Sequence, residues 1–208
     1  MKKIFLLALV MMSMQSFAQD KKKTKDETFF SKEIESTGYG AITTQYSEFN
    51  GRGAIFMGLY GGWMINHRLM IGLGGGGLMN RPDGFNKVGE HDGSNEIQMG
   101  YGGLMVEYTF ASTKKIHLTT SALIGGGGVS NGHYSPVSNT QATQWRIIDD
   151  SGFYIFQPTL NIEMNMTNWF RIAAGGGYRY VTGAEIAGLT NGQMSAPTAS
   201  LSLKFGLF

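Results

Sequence analysis

The sequence contains no cysteine, so disulfide bonds and a lipid-modified amino-terminal cysteine are excluded. Charge is also scarce, because only 15% of the residues are Asp, Glu, Lys or Arg, against about a quarter in a typical soluble domain. Beyond the amino terminus, no apolar run approaches the roughly 20 residues that a transmembrane helix needs. If this chain crosses a membrane, it must therefore do so with strands.

The amino terminus has the three parts of an export signal. Lys2 and Lys3 are basic, residues 4–12 form an apolar run, and Ser16 and Ala18 are small residues at the expected cleavage positions. We predict a signal peptide over residues 1–18. The alternative, an uncleaved membrane helix, needs an apolar run about twice as long. Residues 19–36 are polar and rich in charge, and we predict that they form a periplasmic tail.

The chain that remains after cleavage is formally neutral. Without Lys2 and Lys3, the 17 Lys and Arg residues fall to 15, which equals the number of Asp and Glu residues. A role in binding nucleic acid therefore gets no support from the charge. Residues 37–208 suit one domain, but their 31 glycines are about two and a half times the usual share of about 7%.

Eight segments of alternating residues follow the tail. The alternation predicts β-strands, and each segment has the ten or so residues that a tilted strand needs to cross hydrocarbon. Connections after the second, fourth and sixth segments are short, whereas those over residues 80–95 and 130–151 are long. An even number of strands with this arrangement of turns and loops is typical of a closed transmembrane barrel. The segments are 38–49, 54–65, 69–78, 96–110, 116–128, 153–164, 169–181 and 199–207.

The distribution of charge separates this prediction from a soluble barrel, which also alternates. One face of the last four segments is almost purely apolar, and its opposite face carries the charged residues. If the apolar face meets lipid, the charges lie inside the barrel, where opposite signs must compensate each other. The alternative places them on a solvated exterior around an apolar core. The predicted interior charge network is Glu107, Glu163, Arg171, Arg179 and Lys204.

Aromatic residues gather at the ends of the predicted strands, as expected for girdles at two membrane interfaces. The girdle near the short turns is predicted to contain Trp63, Tyr108, Phe110, Trp169, Phe170 and Phe205. The girdle near the long loops is predicted to contain Tyr101, Tyr154, Tyr178 and Tyr180.

Several short motifs spread over the chain carry a family resemblance. They are 38–41 (GYGA), 49–51 (FNG), 61–67 (GGWMINH), 100–103 (GYGG), 178–180 (YRY) and 203–206 (LKFG). With these motifs the chain resembles the small eight-stranded outer-membrane β-barrel proteins of Gram-negative bacteria, of the OmpA-like or OmpX-like kind, and more closely small barrels of the Bacteroidota. The resemblance implies an all-β, antiparallel, up-and-down transmembrane barrel in the cell outer membrane, surrounded by lipid and lipopolysaccharide.

The resemblance also implies insertion by the outer-membrane assembly machinery, which recognises a terminal strand that ends in an aromatic residue. Phe208 is in that position. The family pattern has apolar residues two, four and six positions earlier, but this chain has Gly206, Lys204 and Ser202 there. Its apolar residues are displaced by one, to positions 201, 203, 205 and 207. Phe208 is therefore expected to point away from the lipid.

Two patterns suggest a chemical site. Gly72, Gly74 and Gly77 have the G-x-G-x-x-G spacing of a phosphate-binding loop, but no helical segment follows, so curvature of the strands explains the glycines better. His133 and Ser135, with Asp149 or Asp150, could form a hydrolytic set like that of a lipid A deacylase or acyltransferase. No surrounding motif supports that set, and no histidine has metal-ligand spacing with a second ligand, so neither a cofactor nor a metal is expected.

Three functions remain open. The first is a non-enzymatic structural or surface-binding protein whose long loops contact an extracellular ligand. The second is an enzyme that modifies lipid A at the outer rim, with His133, Ser135 and Asp150 as its candidate residues. The third is a narrow pore, which is the least expected because eight strands leave an interior just wide enough for side chains.

Overall fold

A computed structural model describes residues 35–80, 96–136, 143–186 and 188–208. The predicted signal peptide and nearly all of the predicted tail lie outside these residues, so both stay predictions. No helix within the described ranges is long and apolar enough to span a bilayer. The elements are β1 Ser36–Phe49, β2 Arg52–Ile65, β3 Leu69–Leu78, β4 Glu96–Phe110, β5 Ile116–Pro136, β6 Thr143–Asn165, β7 Phe170–Thr182, α1 Asn191–Met194 and β8 Ala196–Gly206.

The eight strands form a closed barrel in which each strand pairs with the next in sequence. Every pairing is antiparallel, and β8 closes the ring by pairing with β1. Closure leaves no strand edge without hydrogen-bond partners, which is the condition for crossing hydrocarbon with strands. The predicted eight-stranded, up-and-down, antiparallel barrel is confirmed.

The strands are staggered around the ring. The line of paired residues that starts at Tyr154 on β6 passes through every strand and returns to β6 at Met164, ten residues further along. A stagger of this size in an eight-stranded barrel tilts the strands by about 40° from the axis. Residues at one height in the membrane therefore have very different positions along neighbouring strands.

The connections divide the barrel into two ends. The turn end carries the connections over residues 66–68, 111–115 and 166–169, and the loop end carries the others. Two of the connections are tight turns, and each contains residues that tolerate a positive φ. Asn50 and Gly51 have φ of 52° and 73°, and Asn66 and His67 have φ of 51° and 55°.

One predicted connection is wrong. The segment 130–151, predicted as a loop, is mostly a β-hairpin, because β5 continues to Pro136 and β6 begins at Thr143. The register shifts by one residue between Asn131 and Gly132, which is a β-bulge. Beyond the membrane both faces of a hairpin meet water, so the alternation that identifies a strand is lost there. The connection between β7 and β8 contains the one-turn helix α1.

Inward-facing glycines allow neighbouring strands to approach closely. A Cβ on Gly103 would run into the main chain of Ile124 and Gly125 on β5, and a Cβ on Gly74 would lie 2.9 Å from the Cβ of Tyr60. Large inward side chains such as Tyr60 occupy the space that these glycines leave. The consecutive glycines 74–77 lie within β3 and the consecutive glycines 125–128 lie within β5. Their position inside strands agrees with a role in strand curvature.

Candidate functional site

A belt of apolar side chains surrounds the barrel. On β6 the outward residues from Tyr154 to Met164 are exposed or partly exposed and apolar, and ten residues of tilted strand span about 25 Å along the axis. Trp63 is 74% exposed and Leu59 is 64% exposed. The outward-facing charged residues of the described strands, such as Glu48 on β1 and Asp150 on β6, lie at the loop end, beyond the belt. Such a belt is suited to hydrocarbon and would be unfavourable in water.

Aromatic rings lie at both borders of the belt. At the turn end all six predicted residues lie on outward faces, and the rings of Phe170 and Phe205 stack at 5.0 Å. At the loop end Tyr154, Tyr178 and Tyr180 face outward, with Tyr154 73% exposed. Tyr101 corrects the prediction, because it faces inward and its hydroxyl lies 3.4 Å from Oε1 of Gln45. Tyr101 and Glu107 are an even number of residues apart on β4, so the alternation of the strand places both side chains on the inward face.

Charged residues meet inside the turn end and form an ion cluster, defined here as Glu107, Glu163, Arg171 and Lys204. Lys204 Nζ donates to Glu107 Oε1 and to Glu163 Oε2, each at 2.5 Å. Arg171 NH1 donates to Glu163 Oε1 at 3.0 Å. All four residues are at most 5% exposed. Two carboxylates face two cations, so the cluster is formally neutral, as a dry interior requires.

Three further residues contact the ion cluster. The Tyr39 hydroxyl donates to Glu107 Oε1 at 2.6 Å, and His117 Nε2 lies 3.3 Å from Glu163 Oε1. The ring of Phe208 packs 5.1 Å from the ring of Tyr39 and 3.9 Å from the guanidinium carbon of Arg171. Tyr39 and His117 were not predicted as members of the network, although both lie on the inward-facing set of their strands. Phe208 points into the barrel, and its role as an assembly signal stays a prediction.

Arg179 was predicted in the same network, but it lies apart from the ion cluster. It is fully buried nearer the loop end, where Nε donates to the carbonyl oxygen of Met194 and NH2 to that of Glu48, both at 2.9 Å. Its guanidinium also lies 4.2 Å from the centre of the Phe56 ring. Arg179 therefore binds main-chain carbonyls rather than a carboxylate of the cluster.

A plug segment, residues 183–186 and 188–195, fills the mouth of the barrel at the loop end. Its apolar residues Ala184, Ile186, Leu189 and Met194 are buried in the same core as the strands. Gln193 fastens the segment to the first turn, because its carbonyl accepts from the Asn50 N–H at 2.9 Å and its side chain donates to Asn50 Oδ1 at 2.8 Å. The hydrogen bond from Arg179 to the Met194 carbonyl oxygen attaches the last residue of α1 to the barrel interior.

A small polar cavity of about 40 Å³ remains between the ion cluster and the plug segment. It has room for about three water molecules, each of which needs roughly 10–15 Å³ of such volume. Its polar lining comes from Thr43, Gln45, Tyr60, Tyr101, Ser121, Gln157, Thr159, Asn161, Ser200 and Ser202. Among the described residues, the interior therefore consists of an ion cluster, a small cavity and an apolar plug.

The residues considered for hydrolysis lie on the β5–β6 hairpin. His133 is paired with Arg146, whereas Asp150 is paired with Ser130, three residue pairs away. The alternation along β5 puts Ser130 and His133 on opposite faces of the hairpin. The structure thus does not bring Asp150 to His133. Ser135 is paired with Gln144 through its main chain.

Metal binding was not expected from the sequence. Across the described ranges, no group of three or more His, Cys, Asp or Glu side chains is arranged to hold a metal ion. The sequence 90–92, in which His91 lies between Glu90 and Asp92, falls outside the described residues.

Comparison with known proteins agrees with this architecture. No family model matches the sequence, and no curated protein matches it. The structure is similar to that of Neisserial surface protein A (NspA), with a TM-score of 0.54 and 11% identity over 84% of this chain and 99% of that chain. It is also similar to a major outer membrane protein from Thermus thermophilus, with a TM-score of 0.54 and 11% identity over 82% of this chain and 99% of that chain. The chain therefore has the fold of the small eight-stranded outer-membrane β-barrels, and its apolar belt and closed ring place it in the outer membrane.

Proposed function

We propose that the protein is a non-enzymatic barrel of the outer membrane that acts at the cell surface through its loop end, by binding an extracellular ligand or by stabilising the envelope. The observation that carries the proposal is the β5–β6 hairpin. Among the described residues, β4 pairs with β5 as far as Gly132, and β7 pairs with β6 as far as Tyr154. Beyond these points β5 and β6 continue to pair with each other, up to Pro136 and Thr143.

The hairpin is built to stand outside the membrane. Its described residues on β6 include exposed polar side chains at Gln144 and Arg146 and an exposed apolar side chain at Ile147. Mixed polar and apolar exposure on a rigid, hydrogen-bonded scaffold is a common property of binding surfaces. The barrel below it is filled, so the hairpin is the largest described feature available to a molecule outside the cell.

The other two functions have less support. A pore needs a path through the barrel, but the ion cluster, the rings of Tyr39 and Phe208 and the plug segment fill both ends. A hydrolytic enzyme needs an acidic partner that orients the histidine. The hairpin register separates Asp150 from His133, and Asp149 is paired with Asn131 whereas His133 is paired with Arg146. No specific observation favours either function over the surface role.

Shortening the hairpin tests the proposal. In the shortened variant, His133 is joined to Arg146 by Asn-Gly, which suits a two-residue hairpin turn. In the control variant, residues 137–142 are replaced by six Gly and Ser residues, which keeps the length of both strands. Cells that do not adhere by themselves would display each protein, and their attachment to surfaces coated with fibronectin, collagen or heparin would be counted.

We expect attachment to at least one surface, and we expect the shortened variant to reduce it about tenfold because a small set of contacts carries most binding energy. The control variant should keep the attachment. Equal attachment of cells with the full and shortened proteins, or none above empty cells, would contradict a surface-binding role for the hairpin. Heat-modifiable gel migration verifies that both variants form barrels.

A further inference from the structure

A groove of about 500 Å³ lies on the outside of the barrel wall, at the loop end of β8, β1 and β2. Pro197 and Ala199 on β8 form one side of its floor, and Tyr46 on β1 forms a wall. Glu48 and Arg52 lie at its upper end. The volume falls within the range of roughly 300–1,000 Å³ that is typical of sites for small molecules.

The groove follows from the sizes of the outward side chains. Tyr46 is paired with Ala199 on one side and with Ile55 on the other. Its hydroxyl lies 3.0 Å from the position that a Cβ on Gly53 would take, so the tyrosine leans over Gly53 and towards the loop end. On the β8 side, Pro197 and Ala199 are too small to fill the space beside the ring.

The surroundings of the groove change from apolar to charged along its length. Below it, the outward residues Ile42, Met57 and Leu201 continue the apolar belt. At its upper end are the exposed side chains of Glu48 and Arg52. The stagger of the strands brings Glu48 to about the height of Tyr154, at the border of the belt. The groove therefore begins in hydrocarbon and ends at the level of lipid head groups.

We infer that this groove binds one molecule of lipid A from the outer leaflet. An acyl chain lies along Pro197 and Ala199, and the wall of Tyr46 holds it in place. The guanidinium of Arg52 binds a phosphate of the head group, since Arg forms strong charge-assisted hydrogen bonds with phosphate oxygens. The carboxylate of Glu48 accepts a hydrogen bond from a sugar hydroxyl, which a glycolipid has and a simple phospholipid of the ethanolamine class lacks.

Two pairs of variants separate binding in the groove from general contact with lipid. Ala199→Trp fills the floor of the groove, and Ala174→Trp is its control, because Ala174 is also an exposed outward residue but lies on β7 away from the groove. Arg52→Gln removes the cation at the upper end, and Arg68→Gln removes an exposed cation at the turn end. Native mass spectrometry of the purified barrels in detergent, titrated with lipid A or with phosphatidylethanolamine, measures the bound lipid.

The wild-type barrel should retain one lipid A molecule. We expect Ala199→Trp and Arg52→Gln each to weaken that binding about tenfold, since they remove the packing and the charge-assisted contact. The two controls should stay within about twofold of the wild type. Equal retention by wild-type and groove variants, or equal loss in the controls, would overturn the site. Phosphatidylethanolamine bound as tightly as lipid A would overturn the assignment to lipid A. Heat-modifiable migration confirms that each variant is folded.

Discussion

The Lys204→Met variant is expected to lose roughly 3–5 kcal/mol of folding free energy, the usual cost of leaving a buried charge without its partner. Lys204 is fully buried and is the only residue that donates to both Glu107 and Glu163 among the contacts described. Methionine keeps most of the side-chain volume but leaves two carboxylates facing Arg171 alone. The midpoint of urea unfolding in lipid vesicles, followed by tryptophan fluorescence, measures the loss.

Two further variants show whether charge imbalance causes the loss. Lys114→Met removes an exposed lysine from a turn and should leave the midpoint unchanged. Glu107→Gln combined with Lys204→Met removes one charge of each sign and keeps the pair of Arg171 with Glu163. This double variant should recover about half of the lost stability or more, because paired charges compensate each other. A Lys204→Met midpoint equal to that of the wild type would contradict the buried ion cluster.

Gly103→Ala is expected to destabilise the barrel strongly. The added Cβ would meet the carbonyl oxygen of Ile124 and the Cα of Gly125, which are main-chain atoms fixed by the strand pairing. Because neither can move without breaking the sheet, we expect a cost of about 3 kcal/mol, at the upper end of typical overpacking. The folded fraction, measured as the heat-modifiable gel band after refolding, should fall accordingly.

The neighbouring residue provides the control. Gly102 faces outward, and a Cβ there would meet its nearest atom, the carbonyl oxygen of Gly74, at 3.4 Å, which is ordinary contact. Gly102→Ala should therefore change stability by less than about 0.5 kcal/mol. If the two alanine variants refold equally well, the inward glycines are not needed for close approach of the strands.

The parts of the fold inside the membrane could be predicted from the sequence because lipid and a packed interior make opposite demands on alternate residues. The faces predicted for β8 are the observed faces: Leu203 points outward, whereas Lys204 is buried. The same rule could have assigned Tyr101 to the interior. Tyr101 was judged from its position near a strand end, which is a weaker signal than parity along the strand.

Outside the membrane the prediction failed for a physical reason. Near the tip of the hairpin, the adjacent residues Arg146 and Ile147 are both exposed, so the periodicity is lost and the segment 130–151 resembles a loop. Arg179 was predicted in the charge network because it is a cation on the charged face of its strand. An ion pair also requires that both residues lie at the same height along the barrel axis. The stagger of the strands puts Arg179 nearer the plug segment, whose fold over the barrel mouth could not be seen in the sequence.

The central claim is that alternate residues of each strand face lipid and a closed interior, and β8 offers the most direct test. Because the chain has no cysteine, single cysteines at Ser200, Leu201, Ser202 and Leu203 can each carry a fluorescent label without background. Quenching by brominated acyl chains is then measured for the barrel in lipid vesicles. We predict strong quenching at positions 201 and 203 and weak quenching at 200 and 202. Strong quenching at 200 and 202 instead, or quenching of 201 and 203 by aqueous iodide, would contradict the account.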